Sequence, residues 1–357
     1  MWLIAFLGLG IFLLSIFLIK KVIKFCNKYS LYDSVSARKI HSGNIPRLGG
    51  IAIFVSFISG CVVYFLITDS AILFTKIPLL ISCSIIFAVG ILDDLFDLKA
   101  YTKLLAQLVA TGIVVFFGYR FQSIFGVSLN TSIFGRIFSS IFTYLWVVGI
   151  INSYNLIDGL DGLCSTLALS VLITVALIYS QINTTEAILC IFLCAGILGF
   201  LVFNFPPAKI FMGDNGSQFL GFMIAILPLY VTQVKNTSFE FNKVLVCIVL
   251  SAIPMTDTIA SIWRRIRDKR PIMSPDKAHL HHKLLNIGLS KNQVLLVVDL
   301  VQIVICVTVL FAVRLNRNFA TIVLAVLYLI LASLFAFIHF KNRSVLKFKK
   351  QSLTDNQ

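Results

Sequence analysis

The segment ILFTKIPLLISCSIIFAVGILDDLFDLKAYTK, residues 72–103, places an aspartate cluster directly after a long apolar run. Residues 72–92 are mostly apolar, and a helix that crosses a bilayer needs roughly 20 such residues. Asp93, Asp94 and Asp97 then form a D-D-x-x-D pattern, which suits Mg²⁺ bound against a diphosphate. The segment therefore predicts a membrane-spanning helix with a polar site at its end.

The whole chain has the composition of a membrane protein. Of its 357 residues 59% are hydrophobic, and its mean hydropathy is +0.96, whereas soluble domains contain about half apolar residues. The net charge of +15 is typical of membrane proteins whose cytoplasmic loops face anionic lipid. We therefore predict a protein embedded in the lipid bilayer that does not bind nucleic acid.

Eleven apolar stretches are candidates for membrane-spanning helices. With the N-terminus outside, the cytoplasmic segments hold 23 Lys and Arg residues and the outer segments hold seven, as the positive-inside rule requires. We predict an all-α polytopic fold with a cytoplasmic C-terminus, a single integral-membrane domain over residues 1–340 and a basic tail over 341–357. The candidate spans are 2–19, 49–68, 72–92, 104–119, 135–151, 163–181, 185–203, 217–234, 244–263, 293–313 and 318–339.

The polar motifs fall in alternate loops, and therefore on one face of the membrane. That face carries most of the Lys and Arg residues, so we predict that the motifs meet at the cytoplasmic boundary. The segments are RKIHSGNIPRLGG (38–50), DDLFDLKAYTK (93–103), NSYNLIDGLDG (152–162), NFPPAKIFMGDNG (204–216) and the basic loop 264–292.

The D-D-x-x-D cluster has the geometry for two tasks. On a helix, Asp93 and Asp94 point about 100° apart, whereas Asp93 and Asp97 share a face. One carboxylate can thus meet a metal while its neighbour meets a substrate. Lys103 adds a cation suited to phosphate. An isolated cluster of this kind is equally typical of a solvated helix end, and the pattern alone leaves both interpretations open.

The motif NLIDGLDGL (155–163) spaces three polar residues at intervals of three. Asn155 offers both a donor and an acceptor, and the glycines after Asp158 and Asp161 allow a ligand to approach the backbone. D-G pairs also form ordinary turns. Two such pairs with an asparagine favour a binding site.

The motif GDNGS (213–217) places Asp214 between glycines just before a predicted span. A helix start favours phosphate through its free N–H groups and its dipole, and Ser217 lies near that start. A carboxylate there also suits Mg²⁺, which commonly takes one or two carboxylates plus substrate phosphates. A helix cap at Asp214 would explain the aspartate but not the flanking glycines.

The basic loop 264–292 combines arginines with three of the five histidines of the chain. Zinc would require Cys or carboxylate ligands at regular spacing, whereas arginine with imidazole suits a nucleotide diphosphate. A lipid-facing loop would account for the arginines alone. Asp257, inside a predicted span, is a functional candidate by position, and we expect it to pair with an arginine of this loop and orient it. The candidate residues of the loop are Arg264, Arg265, His279, His281 and His282.

Together, D-D-x-x-D at 93, N-L-I-D-G-L-D-G-L at 155, G-D-N-G-S at 213 and H-L-H-H at 279 resemble the polyprenyl-phosphate N-acetylhexosamine-1-phosphate transferases. This resemblance implies transfer of an N-acetylhexosamine-1-phosphate from a UDP-sugar to undecaprenyl phosphate, with release of UMP. H-L-H-H preceded by S-P-D-K favours UDP-GlcNAc over UDP-MurNAc-pentapeptide. UDP-FucNAc and UDP-QuiNAc stay open.

The resemblance also implies roles for single residues. Asp214 would be the main ligand of Mg²⁺, with Mn²⁺ as an alternative, while Asp93 would deprotonate or position the lipid phosphate and Asp94 would assist. The implied setting is a bacterial inner membrane with a cytoplasmic active site that starts cell-envelope polysaccharide, and a homo-oligomer is left open. The implied substrate-binding residues are Lys103, Asn155, Asp158, Asp161, Ser217, Arg264, Arg265, His279, His281 and His282, with Asp97 and Asp257 in support.

Two other functions are compatible with parts of this pattern. A membrane prenyltransferase would use NLIDGLDGL as a second aspartate motif that binds an isoprenoid diphosphate, but it leaves GDNGS and the histidines without a role. An ion-coupled transporter would need carboxylates near the bilayer midplane, whereas these cluster at one boundary.

Overall fold

The computed structural model describes residues 2–32, 45–182, 184–230, 237–271 and 278–354. These residues are almost entirely helical, as predicted for an all-α membrane protein, and the only sheet among them is a two-stranded hairpin of β1 (Ser123–Ile124) and β2 (Val127–Ser128). The helices are α1 (Trp2–Tyr29), α2 (Gly50–Thr68), α3 (Ser70–Phe96), α4 (Ala100–Phe116), α5 (Ile133–Ile157), α6 (Leu163–Tyr179), α7 (Thr184–Asn204), α8 (Gly213–Ile226), α9 (Ser238–Leu250), α10 (Ala252–Arg267), α11 (Leu280–Asn286), α12 (Lys291–Ala312) and α13 (Arg317–Thr354).

The eleven predicted spans each overlap a helix or a pair of helices, although residues 231–234 of the span 217–234 lie outside the described residues. Fewer helices are long enough to cross a bilayer alone. Seven described helices are both long and apolar enough, or eight if the bent pair α9–α10 counts as one span. The helices α4 and α6 have 17 residues each and α8 has 14. The number of spans and the orientation of the chain therefore stay predictions.

The predicted span 244–263 is not a single helix. Helix α9 ends at Leu250 and α10 begins at Ala252, and the axes of these two helices differ in direction by 64°. Pro254 lies in the first turn of α10, where its missing N–H costs no helical hydrogen bond, whereas in a continuous helix it would remove one. The break directs α10, which carries Asp257, away from the axis of α9.

The centre of the protein is α8. Every residue from Asn215 to Ile226 is buried, and α8 packs against α2, α3, α5 and α6. By contrast, α1 and α13 expose large apolar side chains such as Trp2 and Phe337, as a surface in contact with lipid requires. This packing holds the first turn of α8 against the ends of α3 and α5.

The end of α3 returns the chain towards its own aspartates. The helix stops at Phe96 because Asp97 adopts a left-handed conformation with φ of 49°, and α4 starts after a short link. The predicted helical face shared by Asp93 and Asp97 is therefore wrong, and the Asp97 side chain is 90% exposed. The same reversal brings Lys103 of α4 back to Asp93.

A buried ion pair joins α3 to α7 near the other end of α3. Lys76 donates to Glu186 and, over 3.3 Å, to the hydroxyl of Tyr119. The side chains of Lys76 and Glu186 are 2% and 0% exposed. Removing one partner of a buried ion pair typically costs about 3–5 kcal/mol, because the other charge stays buried.

We expect Lys76→Met to lower the thermal unfolding midpoint of the purified protein in detergent by several degrees. The double variant Lys76→Met/Glu186→Gln should recover most of that loss because it removes both charges. As a matched control, Lys20→Met changes an exposed lysine and should leave the midpoint unchanged. Equal midpoints for the single and double variants would contradict this role of the ion pair.

Candidate functional site

Two aspartates and a lysine meet where α3, α4 and α8 converge. The Nζ atom of Lys103 lies 2.7 Å from Oδ2 of Asp93 and 3.3 Å from Oδ2 of Asp214. The side chains of Lys103 and Asp214 are 26% and 29% exposed, so the cluster is open to a ligand. The structure thus brings D-D-x-x-D and GDNGS into contact through Lys103.

Asp94 faces away from Lys103 and caps the start of α8. Its Oδ1 accepts the N–H of Asp214 at 3.0 Å, and its Oδ2 accepts the backbone N–H of Asn215 at 3.0 Å and the side-chain amide at 2.5 Å. A carboxylate is stabilising there because a helix start has unpaired N–H groups and a partial positive charge. We expected these two N–H groups to be open to phosphate, but Asp94 occupies both of them. Asp94 therefore aligns Asp214 instead.

The segment 46–50, part of the predicted segment 38–50, packs against the chain just before α8, although none of its residues was predicted as a site residue. The N–H of Phe211 donates to the carbonyl of residue 46 at 2.8 Å, and the carbonyl of Phe211 accepts from residue 49 at 2.9 Å. Arg47 donates to the carbonyl of Asp94 and lies 3.9 Å from Asp97. The available signal was P-R-L-G-G, which combines a guanidinium with glycines. Arg38 and the rest of this loop, 33–44, lie outside the described residues.

The motif NLIDGLDGL serves two parts of the structure. Asn155 Nδ2 donates to Ser217 Oγ at 3.0 Å and so joins the end of α5 to the first turn of α8. Ser217 is fully buried, so a direct contact with substrate is not available to it. Asp161 Oδ2 accepts the N–H of Ala208 at 3.1 Å and so holds the loop before α8. This carboxylate is therefore less suited to the isoprenoid diphosphate site that a membrane prenyltransferase would need. Asp158 ends α5 and is partly exposed.

Asp257 fixes the start of α11 rather than an arginine. Its Oδ2 lies 2.8 Å from Nδ1 of His279, and its Oδ1 accepts the N–H of Leu280 at 2.8 Å. The expected pairing of Asp257 with Arg264 or Arg265 is wrong. Those arginines lie two turns along α10, about 10 Å of helix axis away, and the start of α11 offers a nearer N–H.

The predicted histidines pack together against the end of α5. The rings of His279 and His281 are stacked 6.0 Å apart, and His282 lies 4.3 Å from His281. A Cβ atom at Gly159 would lie 2.6 Å from Cε1 of His281, so a larger residue at this position would have to displace the His281 ring. Gly159 follows Asn155 by four residues, and the histidines thus adjoin the aspartate site. The segment 272–277, with S-P-D-K, lies outside the described residues.

The environment of His281 keeps its ring neutral. The ring is 3% exposed, and burial, followed by the neighbouring His282, lowers the pKa of His281 to about 3 against the opposite effect of Asp257. In the unfolded chain the pKa of histidine is about 6.5. The unfolded state therefore takes up a proton between these two values, and the stability that His281 contributes above pH 6.5 is lost as the pH falls towards 3.

We expect the protein to lose more stability than a His281→Gln variant when the pH falls from 8 to 5. Each pH unit below 6.5 changes the balance by about 1.4 kcal/mol, so the difference should reach about 2 kcal/mol at pH 5. Thermal unfolding in detergent across this range would measure it. Midpoints that fall in parallel for the two proteins would show that His281 is not the group responsible.

The carboxylates fit a magnesium ion that is completed by its substrate. No group of three or more His, Cys, Asp or Glu side chains able to hold a metal occurs in the described part of the chain. Mg²⁺ commonly takes one or two carboxylates and completes its shell with water and phosphate oxygens. Asp93 and Asp214 can provide the carboxylates. Burial raises the pKa of Asp214, but the neighbouring Asp93 and the charge of Lys103 lower it by more, so the pKa of Asp214 lies below its ordinary value.

Comparison with known proteins relates the chain to a family of glycosyl transferases. Residues 76–232, which include the aspartate site, match the family model for glycosyl transferase family 4. The chain is 38% identical over 299 residues to a probable undecaprenyl-phosphate N-acetylglucosaminyl 1-phosphate transferase of Bacillus subtilis (strain 168), which covers 83% of this chain and 81% of the relative. It is 30% identical over 297 residues to the undecaprenyl-phosphate alpha-N-acetylglucosaminyl 1-phosphate transferase of Escherichia coli (strain K12), with coverages of 80% and 77%. It is 31% identical over 291 residues to the decaprenyl-phosphate N-acetylglucosaminephosphotransferase of Mycobacterium tuberculosis (strain H37Rv), with coverages of 74% and 71%.

Proposed function

The chain belongs to glycosyl transferase family 4 and to its polyprenyl-phosphate N-acetylhexosamine-1-phosphate transferases, and on this premise we propose that it transfers N-acetylglucosamine-1-phosphate from UDP-GlcNAc to undecaprenyl phosphate, releasing UMP. The proposed setting is a bacterial inner membrane with the site on the cytoplasmic face. The product would start lipid-linked O-antigen, common antigen or teichoic-acid linkage units.

The observation that carries this proposal is the contact of Lys103 with both Asp93 and Asp214 at the open end of α3. A cation between two carboxylates at the end of an apolar helix suits a reaction between one substrate from the lipid and one from water. Phosphoryl transfer depends mainly on positioning and on charge neutralisation. The cluster supplies both in a small volume.

We propose Mg²⁺ as the cofactor, with Mn²⁺ as an alternative, held by Asp214 with help from Asp93. When bound, the ion would neutralise charge on the diphosphate oxygens and on the leaving UMP. Asp94 would keep Asp214 in place through the capping bonds described above. The fit rests on the oxygen-only donor set and on the exposure of Asp214.

In the proposed reaction, an oxygen of the lipid phosphate forms a bond to the β-phosphorus of the UDP-sugar. The bond between the β-phosphorus and the bridging oxygen of the diphosphate breaks, and UMP leaves with that oxygen. Asp93 would position the lipid phosphate, because a phosphate monoester with a second pKa near 6 is already largely ionised at neutral pH. Lys103 would turn from the carboxylates to the diphosphate and offset its charge.

The remaining predicted contacts would serve the donor substrate. Asn155 and Asp158 would shape the nucleotide pocket at the end of α5, with Asp161 fixing its loop. The partly exposed His282 would contact the diphosphate or the sugar. The other predicted residues of this group would position His282 from buried sites; they are Arg264, Arg265, His279 and His281.

The direct test supplies membranes that contain the protein with Mg²⁺, undecaprenyl phosphate and UDP-GlcNAc labelled in its β-phosphate. We expect label in the lipid phase and one UMP released per labelled lipid, neither of which should occur when the metal is chelated. Label from UDP-FucNAc, UDP-QuiNAc or UDP-MurNAc-pentapeptide instead would keep the mechanism and change the sugar. No transfer from any UDP-sugar by folded protein would reject the proposal.

A further inference from the structure

Three carboxamide side chains form a line of hydrogen bonds that ends at Asp214, and the two of them nearest to Asp214 are buried. Asn152 of α5 donates through Nδ2 to Oε1 of Gln107 at 2.9 Å, and Gln107 of α4 donates through Nε2 to Oε1 of Gln218 at 3.2 Å. Gln218 of α8 then donates through Nε2 to Oδ2 of Asp214 at 3.1 Å. Gln107 and Gln218 are 2% and 3% exposed, so these two carboxamides are shielded from water, whereas Asn152 is partly exposed.

The direction of this line is set by the carboxylate at its end. An ionised aspartate can only accept hydrogen bonds, whereas a carboxamide can donate or accept. Gln218 must therefore turn its NH₂ group towards Asp214 and its oxygen towards Gln107, and Gln107 must in turn offer its NH₂ group to Gln218. Asn152 completes the order by donating to Gln107 and to the carbonyl of Val148 at 2.8 Å. Aligned donors of this kind strengthen one another at low dielectric.

The cost of burying these groups argues for a role beyond packing. A buried amide without a partner costs about 1–3 kcal/mol, and an apolar side chain would fill the same space between α4, α5 and α8 without that risk. The line also ends on the oxygen of Asp214 that Lys103 contacts. Two donors on Oδ2 fix the plane of the carboxylate and therefore the direction of its other oxygen.

We propose that Asn152, Gln107 and Gln218 are positioning residues that hold the Asp214 carboxylate in the orientation in which it binds the divalent cation. This inference rests on the proposed function for the identity of the metal. It assigns to three carboxamide residues outside the four motifs, two of them buried, a part in metal binding through Asp214. Loss of a residue that orients a metal ligand typically costs about 10- to 100-fold in metal affinity or activity.

The first test replaces Gln218 with methionine, which keeps the length of the side chain and removes the donor to Asp214. We expect the Mg²⁺ concentration for half-maximal transfer to rise about tenfold or more and kcat to fall. Gln302→Met is the matched control, because Gln302 is fully buried in α12 and bonds to the carbonyl of Leu250. The control should lose a similar amount of thermal stability and keep the Mg²⁺ requirement and kcat of the original protein.

The second test reverses the line from a distance. In Asn152→Asp the new carboxylate can only accept, so Gln107 must turn its NH₂ group towards residue 152, and Gln218 then presents its oxygen to Asp214. We expect a raised Mg²⁺ requirement with almost no change in side-chain volume. Asn152→Leu, which removes the first donor without imposing reversal, should have the smaller effect.

A readout without turnover separates this inference from the proposed function. The thermal midpoint of the purified protein should rise with Mg²⁺ alone, and the concentration at half of that rise should increase in Gln218→Met and Asn152→Asp but not in Gln302→Met. If the original protein transfers no sugar phosphate but these shifts in the Mg²⁺ dependence are seen, the proposed reaction is rejected and the positioning role is kept. Unchanged Mg²⁺ dependence in both line variants, or no Mg²⁺ effect on the original protein, would overturn the role.

Discussion

An Asp214→Asn variant should lose about 10²- to 10³-fold in turnover while it stays folded. The change keeps the shape of the side chain and an oxygen that can accept from Lys103 and Gln218, but it removes the negative charge that is proposed to hold the metal. Loss of one preorganised electrostatic group in an active site typically has this magnitude. The assay with β-labelled UDP-GlcNAc measures the loss, and a Mg²⁺ titration should show a raised requirement.

The matched control for this prediction is Asp97→Asn, which lies in the D-D-x-x-D pattern but points outwards. Its side chain is 90% exposed and 3.9 Å from Arg47, and an exposed ion pair contributes about 0–1 kcal/mol. We therefore expect at most about a fivefold loss of activity from Asp97→Asn. Equal losses for Asp97→Asn and Asp214→Asn would contradict the arrangement of the site.

A Gly213→Ala variant should lose both activity and stability. Gly213 has φ of +75°, and an added Cβ would lie 2.1 Å from the carbonyl oxygen of Arg47 and 2.6 Å from Oδ2 of Asp94. The left-handed conformation alone costs an L residue about 1–2 kcal/mol. The clash would also displace Asp94 from the start of α8, and with it the backbone that carries Asp214. We expect activity at or below that of Asp214→Asn and a lower thermal midpoint.

Gly149→Ala is the matched control for the steric argument. Gly149 lies inside α5, and an added Cβ meets no atom within 4 Å, so alanine should be tolerated there and should favour the helix. Activity and thermal midpoint should therefore be retained in this variant. A Gly213→Ala protein as active and stable as Gly149→Ala would show that the close approach of 46–50, α3 and α8 is not as described.

The distribution of apolar and polar residues along the chain was sufficient to predict the class of protein and the meeting of its motifs. Spans alternate the side of the membrane, so motifs in alternate loops must share a face, whatever the packing of the helices. The contacts of Lys103 with Asp93 and Asp214, and of Asn155 with Ser217, show that these motifs meet, while the membrane face on which they meet stays a prediction. The number of full-length spans did not follow, because apolar composition does not distinguish a long helix from a short or broken one.

Local pattern failed where a residue's role depends on a distant partner. Asp97 is four residues from Asp93, which suggests a shared face, but its left-handed conformation ends the helix first. Asp257 pairs with His279, 22 residues away, because the break before α10 and the start of α11 bring them together. Periodicity within one helix contains no information on either event.

The sequence by itself determined that this is a membrane protein and which chemistry its motifs suit, and it predicted that these motifs meet, because hydropathy and motif spacing are properties of the chain alone. Only the tertiary structure decided which of two adjacent aspartates meets Lys103 and which caps a helix 120 residues away. It also decided that the amides of Asn152, Gln107 and Gln218 form one line to Asp214. The physical reason is that a hydrogen bond depends on the position and direction of both partners, and helices from distant parts of the chain set these only when they pack.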